Sequence, residues 1–191
     1  MSTGSAARSV GTVYELNVAV VGIRPRIWRR LQVPSTMDLG RLHRALQVCF
    51  GWDDDHLHQF TVGETKRGAA LRRYDRDIDE KDETRTRLSK TAPNEQSSLI
   101  YTYDFGDNWE VEIVVQKILP RDPGGTYPVC LAGRRAGPTE DCGGIFGYER
   151  MCEALADPTH EDHEEYVEWF GNEFDPEAFD IDAVNARLGK L

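Results

Sequence analysis

The chain lacks any long apolar run, and that absence limits where the protein can work. No stretch approaches the about 18 consecutive apolar residues that a membrane-spanning helix requires. Residues 1–11 are small and polar and therefore predict a disordered N-terminal tail. They also lack the apolar segment of a secretion signal. We therefore expect a cytoplasmic protein with no membrane partner.

Cysteine is scarce, and the four cysteines do not form a CxxC pair. Without a secretion signal they are expected to be reduced thiols and not disulfides. A chain of 191 residues can bury about 70% of its unfolded surface, so its fold requires neither a disulfide nor a metal. Residues 12–191 are therefore expected to form one domain with an ordinary apolar core.

Basic residues are scarce toward the C-terminus. From residue 139 to the end there are 15 acidic and 3 basic residues, whereas residues 1–138 carry a net charge of +2. With a net charge of −10, the whole molecule is a poor generic binder of polyanions. A local basic patch in the first part of the chain is still compatible with nucleic-acid binding.

Hydrophobic periodicity predicts two strands at the start of the chain, followed by one helix. Residues 12–21 alternate between an apolar and a more polar face, and residues 27–33 form a second extended segment. In the helix, apolar residues recur at three- and four-residue steps. Ser35 or Thr36 is expected to cap its N-terminus, and Gly51 stands where a C-terminal cap belongs.

The middle of the chain predicts a solvated insertion and then a hairpin. Residues 63–98 contain 9 basic and 8 acidic residues and few large apolar ones. We expect a charged surface insertion or mobile loop there, with room for a short edge strand or helical turn. Residues 99–104 and 109–119 predict two strands joined by a turn in which Gly106 and Asn108 take positive φ.

The end of the chain predicts helices. After an irregular segment at residues 120–146, helical patterns cover residues 147–156, 160–171 and 181–188. Strands therefore come first and helices last, with one helix after the first strands. This order predicts an α+β fold with a mainly antiparallel sheet and a helical C-terminal third.

Several motifs along the chain resemble one known family. They are RPRIWRR at residues 24–30, FGW at 50–52, HLHQF at 56–60, YDFGDNW at 103–109 and PTEDCGG at 138–144. Together they resemble the plasmid pRiA4b ORF-3-like family, whose members are also described as TnpR-like passenger proteins of insertion sequences. The resemblance runs from about residue 14 to residue 188.

The resemblance implies an α+β domain built around a curved sheet, in a protein carried by plasmids, transposons or chromosomes. It implies no agreed activity, substrate or cofactor, and the chain shows neither a serine-recombinase pattern nor the helix-turn-helix pair of a resolvase. The chain departs from the family at Glu110, where histidine is common, and at Thr139, where proline is common. The first departure weakens a histidine-based metal site in the hairpin.

Two histidines are candidate metal ligands. His56 and His58 are two residues apart in a predicted strand at residues 56–62, which would place both rings on one face. Neutral imidazole binds zinc and similar ions. Four acidic side chains are candidates to complete the coordination shell: Asp104, Asp107, Glu140 and Asp141. In the alternative, the rings only hydrogen-bond the acidic residues at 53–55.

Residues 101–109 and 137–148 are dense in aromatic, acidic and glycine residues, and we expect them to converge as one preorganised surface. The candidate binding residues are Asp104, Asp107, Trp109, Glu140, Asp141 and Cys142 of these segments, together with Trp52. Cys142 precedes a predicted helix and is a candidate nucleophile, although its acidic neighbours raise the pKa of a thiol. The alternative is a structural role for the acidic motif.

A basic and aromatic stripe lies between the first two strands. Arg24, Arg26 and Arg30 would share one face of an extended segment with Trp28, whereas Arg29 points away. Guanidinium groups beside an aromatic ring can hold phosphate and stack a base. In the alternative, the arginines pair with carboxylates and their methylene groups cover a buried Trp28.

Two functions follow from these observations. The first is an accessory or binding module of mobile-element origin, without enzymatic activity or cofactor, that contacts nucleic acid or a protein of the same element. The second is a metal-dependent enzyme of the hydrolase or nuclease type, in which a His/Asp/Glu cluster holds a divalent ion. The first is preferred because the chain lacks a complete catalytic set.

Overall fold

The computed structural model describes residues 11–62, 65–67, 82–170 and 174–191. Within these residues the strands are β1 (Thr12–Val20), β2 (Trp28–Pro34), β3 (His58–Val62), β4 (Thr65–Arg67), β5 (Ser98–Tyr103), β6 (Trp109–Pro120) and β7 (Val129–Arg134). The helices are α1 (Leu39–Phe50), α2 (Leu88–Thr91), α3 (Gly144–Ala156), α4 (His163–Phe170) and α5 (Ile181–Leu188), with a 3-10 helix at Glu83–Arg85. The predicted N-terminal tail lies outside the described residues, apart from Gly11.

The strands form one antiparallel sheet in the order β4-β3-β5-β6-β1-β2-β7. The predicted α+β class is confirmed, with one long helix after the first two strands and α3 to α5 in the C-terminal third. One element was not predicted. β7 lies inside the segment at residues 120–146 that the sequence predicts to be irregular, and it pairs with β2 at the edge of the sheet.

Strand β6 shows why one face of the sheet forms the core. Trp109, Val111 and Ile113 are fully buried, whereas Glu110 and Glu112 between them are exposed. This alternation is the predicted one, since successive side chains of a strand point to opposite faces. Each such burial stabilises the fold by about 1.5–3 kcal/mol, so the pattern determines which face of the sheet meets the helices.

Helix α1 begins later than predicted. Its N-terminal cap is Asp38, whose carboxylate accepts a hydrogen bond from the backbone N–H of Arg41 at 2.9 Å. Both predicted caps, Ser35 and Thr36, precede Asp38, and the Ser35 hydroxyl accepts a hydrogen bond from the side chain of Thr12 at 2.7 Å. The predicted C-terminal cap is confirmed, since Gly51 adopts φ 78° and donates to the carbonyl of Gln47.

Residues 82–98 correct the prediction of a solvated insertion over residues 63–98. Leu88 and Ala92 are fully buried, and Glu83 is 6% exposed. The high density of charge predicted solvent exposure, but one of these acids, Glu83, is paired with His58 inside the core. Residues 63–64 and 68–81 lie outside the described residues, and β4 is the short edge strand that the sequence allows.

The β5–β6 turn differs from the prediction at one position. Asn108 adopts φ 55° as expected, but the second residue with positive φ is Asp104 at 53°, not Gly106. The carboxylate of Asp104 accepts a hydrogen bond from the backbone N–H of Gly106 at 2.9 Å. An aspartate side chain that bonds its own turn in this way tolerates the left-handed conformation.

Candidate functional site

The two motif-rich segments converge in space, as the sequence predicts. The bend is defined here as residues 103–108, and the acidic loop as residues 138–144. Both carboxylate oxygens of Asp107 accept from the backbone N–H of Gly143 at 3.2 Å. Gly144 has φ 68°, and a Cβ there would lie 2.6 Å from the backbone oxygen of Asp107. Only glycine therefore allows this close approach of the loop to the bend.

Tyr103 and Trp52 each donate a hydrogen bond to the acidic loop. The Tyr103 hydroxyl donates a hydrogen bond to the Glu140 carboxylate, and its ring stacks on Trp52 with centroids 4.8 Å apart. The indole N–H of Trp52 donates to the carbonyl of Pro138 at 2.9 Å. Burial, and then the hydrogen bond to Glu140, raise the pKa of Tyr103, so the hydroxyl stays protonated as a donor.

His56 lies between one carboxylate of the bend and one of the acidic loop. Its Nδ1 is 3.8 Å from Asp104 Oδ1, and its Nε2 is 3.4 Å from Asp141 Oδ1. Despite that proximity, Nε2 is buried and has no hydrogen-bond partner in the described part of the chain. One donor atom from each of His56, Asp104 and Asp141 lies within 4.8 Å of the other two. We call these three residues the His56 cluster.

His58 does not join this cluster, which corrects the prediction that both rings share one face of a strand. β3 begins at His58, and His56 precedes it. The Nε2 atom of His58 lies 2.9 Å from Glu83 Oε2, and both side chains are 7% exposed. The His58 ring stacks on His43 with centroids 3.6 Å apart and planes 5° apart. The two predicted ligands therefore belong to separate environments.

His43 takes part in a closed cycle of hydrogen bonds, which we call the His43 cycle. Its Nε2 and Nδ1 atoms lie 2.8 Å from Asp54 Oδ1 and 2.8 Å from the Tyr101 hydroxyl. Gln47 donates its amide N–H to the same hydroxyl at 2.8 Å and accepts from the backbone N–H of Asp54 at 3.1 Å. Because a carboxylate only accepts, Nε2 carries the proton and Nδ1 accepts from Tyr101. Burial lowers the pKa of His43 to about 3, so this imidazole is neutral.

The inner histidines also lie close enough together to suggest a metal site, with Asp54 as a third residue. Two observations argue against it. An imidazole lone pair lies in the plane of its ring, so two parallel rings stacked at 3.6 Å cannot both point at one ion. Both nitrogens of His43 are already engaged within the His43 cycle. His43 and His58 are therefore structural in this arrangement, and the His56 cluster is the better candidate.

Two predicted site residues lie in the core beneath the site. Trp109 is fully buried and meets Tyr148 edge-on, with ring centroids 6.3 Å apart. Cys142 is 7% exposed, and burial raises the pKa of its thiol to about 11. A protonated, buried thiol is a poor nucleophile, so the geometry gives no support to a catalytic role for Cys142.

The arginine stripe is only partly a strand. Arg24 and Arg26 precede β2 and line an open cleft of about 230 Å³, with Glu112 on its wall. Arg30 lies on β2 with its guanidinium carbon 6.0 Å from the centre of the Trp28 ring. Arg29 points to the opposite face, as predicted, and donates to the carbonyl of Cys49 at 2.8 Å.

Sequence reasoning missed the inner network. His43 and Gln47 are four residues apart on the buried face of α1, among leucines. Polar residues at that spacing on an apolar helix face are a recognisable sign of a buried hydrogen-bonded network. Glu83 gave no such sign because it lies in a segment crowded with charges of both signs.

The described residues form an α+β protein with an antiparallel sheet, in which the bend and the acidic loop meet at one end of the β5–β6 hairpin. The chain belongs to the plasmid pRiA4b ORF-3-like family, whose model matches residues 12–183. No helix of the described segments is both long and apolar enough to cross a membrane.

Two relatives extend this assignment. The uncharacterized protein y4hQ of Sinorhizobium fredii (strain NBRC 101917 / NGR234) is 36% identical over 184 residues, which cover 95% of this chain and 93% of that protein. The crystal structure of the protein of unknown function MM3350 from Methanosarcina mazei Go1 has a TM-score of 0.81 and 43% sequence identity. That match covers 91% of this chain and 96% of the other. The names of both relatives assign no activity.

Proposed function

We propose that the protein binds a divalent transition-metal ion through His56, Asp104 and Asp141. The observation that carries the proposal is the buried Nε2 atom of His56, which has no hydrogen-bond partner among the described residues although a carboxylate lies 3.4 Å away. Leaving a buried polar atom without a partner costs about 1–3 kcal/mol. A cation held between the imidazole and the two carboxylates removes that cost and offsets the repulsion between the acids.

The residues of the His56 cluster fit such an ion. One imidazole nitrogen and two carboxylate oxygens suit zinc, manganese or iron(II). Asp104 is buried and held by the bend, whereas the side chain of Asp141 is 71% exposed, so the cluster is open to solvent on one side. With three protein ligands, positions remain for water, which a bound metal ion activates as a nucleophile. Hydrolysis is therefore the reaction class that this cluster supports.

Isothermal titration calorimetry tests the proposal directly. Protein stripped of metal with a chelator is titrated with Zn²⁺ and, separately, with Mn²⁺. We expect one ion per chain to bind, and His56→Ala to abolish that binding. Asp55→Asn is the matched control, because this neighbouring acid is exposed and lies outside the cluster. Absence of binding to both ions, or binding that His56→Ala leaves intact, would refute the proposal.

The family name supports a further statement about setting. We propose that the protein serves as an accessory factor of a plasmid or transposon, since its family is described by a plasmid reading frame. The expected observation is that genes for closely similar chains lie beside transposase or plasmid-maintenance genes more often than random chromosomal genes do. A random distribution of gene neighbours would contradict this setting without affecting the metal proposal.

A further inference from the structure

We propose that the protein also binds single-stranded nucleic acid, on the outer face of the sheet around Trp28. The Trp28 surface is defined as Trp28 with Arg24, Arg26 and Arg30. It lies on the face of β2 opposite to α1, because Arg29 and Leu31 point toward the helix side and are buried. The surface shares no residue with the His56 cluster, so this proposal stands independently of metal binding.

Trp28 is partly exposed on this face of the sheet. Trp28 is paired with Ala19 of β1 and with Arg134 of β7, and it is half-buried. Ala19 has too small a side chain to cover the ring, and the guanidinium carbon of Arg30 lies over the ring, 6.0 Å from its centre. An accessible aromatic ring with a guanidinium next to it offers a stacking platform for a nucleic-acid base.

The arginines of this surface lack the carboxylate partners that four other described arginines have. Arg24, Arg26 and Arg30 are exposed and form no salt bridge with a carboxylate of the described residues. In contrast, Arg135 lies 2.7 Å from a carboxylate oxygen of Glu177, and Arg150 lies 2.6 Å from Asp162. Arg30 at the Trp28 ring, with Arg24 and Arg26 in the adjoining cleft, gives three exposed guanidinium groups that are complementary to a phosphate backbone.

Acidic residues limit the surface on one side. Glu112 lies on β6 directly across β1 from the Trp28 position, and it shares the cleft with Arg24 and Arg26. One carboxylate against three guanidinium groups leaves this edge positive, while the β6 side of the face is negative. A strand of nucleic acid would therefore run over β2 and the β1–β2 loop and avoid β6.

The chemistry favours a single strand over a duplex. A base can stack on Trp28 only if it is unstacked from its neighbours, which costs little in a single strand and several kcal/mol in a duplex. Among the described residues, this surface consists of strand β2 and the β1–β2 loop, and it includes no protruding helix or ribbon of the kind that enters a major groove. We therefore expect binding that tolerates different sequences and depends strongly on salt.

Fluorescence anisotropy with a labelled oligothymidine of about 15 nucleotides tests the proposal, since single-strand sites commonly span 4–16 nucleotides. With three phosphate contacts, affinity should fall about 20-fold between 50 and 200 mM salt. The same oligonucleotide in a duplex should bind at least tenfold more weakly. Binding should persist in chelator, which separates this proposal from the metal site. No binding at 25 mM salt, or preferential binding of the duplex, would overturn the inference.

Variants locate the interaction. The double variant Arg24→Glu/Arg26→Glu should weaken binding at least tenfold and flatten the salt dependence. Trp28→Ala should weaken binding about tenfold through loss of stacking, and Trp28→Phe should restore part of it. Arg44→Glu is the matched control, because Arg44 is exposed on α1 on the other side of the sheet. Equal losses in the Arg44 variant, with all variants folded by circular dichroism, would overturn the assignment.

Discussion

The protein contains two clusters of histidine and carboxylate that look alike in composition and differ in hydrogen bonding. In the His43 cycle, both imidazole nitrogens have partners at 2.8 Å, and each member contacts the next. In the His56 cluster, the carboxylates lie 3.4 and 3.8 Å from the ring, and the buried Nε2 has no hydrogen-bond partner among the described residues. The first arrangement is complete without a ligand, and the second is not.

This difference separates structural from functional polar groups. A buried network that satisfies all of its members stabilises one conformation of the core, here by joining α1 to β5. A preorganised cluster that leaves an atom unsatisfied is maintained at a cost in stability, which is typical of binding sites. We therefore expect substitutions in the inner network to reduce stability and substitutions in the His56 cluster to reduce ligand binding.

The largest expected effect is at the buried His58–Glu83 pair. Glu83→Ala removes the hydrogen-bond partner of the buried His58 Nε2, and breaking a buried pair by deleting one member costs about 3 kcal/mol or more. Urea denaturation should show that loss of unfolding free energy. Glu149→Ala, an exposed position on α3, is the control and should change it little. A loss below about 1 kcal/mol for Glu83→Ala would show that the pair is not structural.

The pH dependence of stability should reveal the neutral state of His43. The pKa of this imidazole is about 3 in the folded protein, below its ordinary value of 6.5. Between these values the unfolded chain binds a proton that the folded protein does not, so stability decreases as pH falls from 6.5 toward 3. One such proton contributes a slope of about 1.4 kcal/mol per pH unit. Plots of unfolding free energy against pH for wild type and His43→Gln should differ in slope by this amount between pH 6.5 and 3. Parallel plots would contradict the prediction.

A smaller loss is expected when the His43 cycle is opened without changing charge. Tyr101→Phe removes one hydroxyl and leaves His43 Nδ1 and the Gln47 amide without their partner. Buried polar groups that lose a partner destabilise a protein by about 1–3 kcal/mol. Tyr127→Phe, outside the cycle, serves as the control in the same thermal or urea denaturation. Equal stability of the two variants would show that the cycle contributes nothing specific.

The smallest effect on stability is expected at the His56 cluster itself. In metal-free protein, His56→Ala should not lower the unfolding free energy, because removal of the buried Nε2 relieves its desolvation cost and offsets the lost contact of the ring with Tyr103. With metal at 100 times its Kd, the unfolding free energy of wild type should increase by about 2.7 kcal/mol, and that of the variant should not change. Thermal denaturation with and without Zn²⁺ measures both values. Equal gains in the two proteins would place the ion elsewhere.

Much of the fold could be predicted from periodicity, and its exceptions have physical causes. The alternation in β6 and the glycine cap of α1 predict the structure closely because each depends on neighbouring residues alone. The burial of residues 82–98 could not be predicted in this way. It depends on Glu83 meeting His58, a partner 25 residues earlier in the chain.

The sequence predicts where the candidate site lies but not which residues form it. The density of acids and glycines in the bend and the acidic loop predicted their convergence, which the contact of Asp107 with Gly143 confirms. Strand periodicity predicted that His56 and His58 act together. That prediction was wrong because β3 starts at His58, so the ring of His56 is free to turn toward the acidic loop. Local patterns do not specify where a strand begins to this accuracy.

Anomalous X-ray scattering from crystals grown with Mn²⁺ or Zn²⁺ tests the central claim most directly, since it shows both clusters in one experiment. We expect a single anomalous peak between His56, Asp104 and Asp141, and none between the stacked rings of His43 and His58. A peak at the inner histidines, or no peak at the His56 cluster at saturating metal, would contradict the conclusion that the unsatisfied cluster is the binding site.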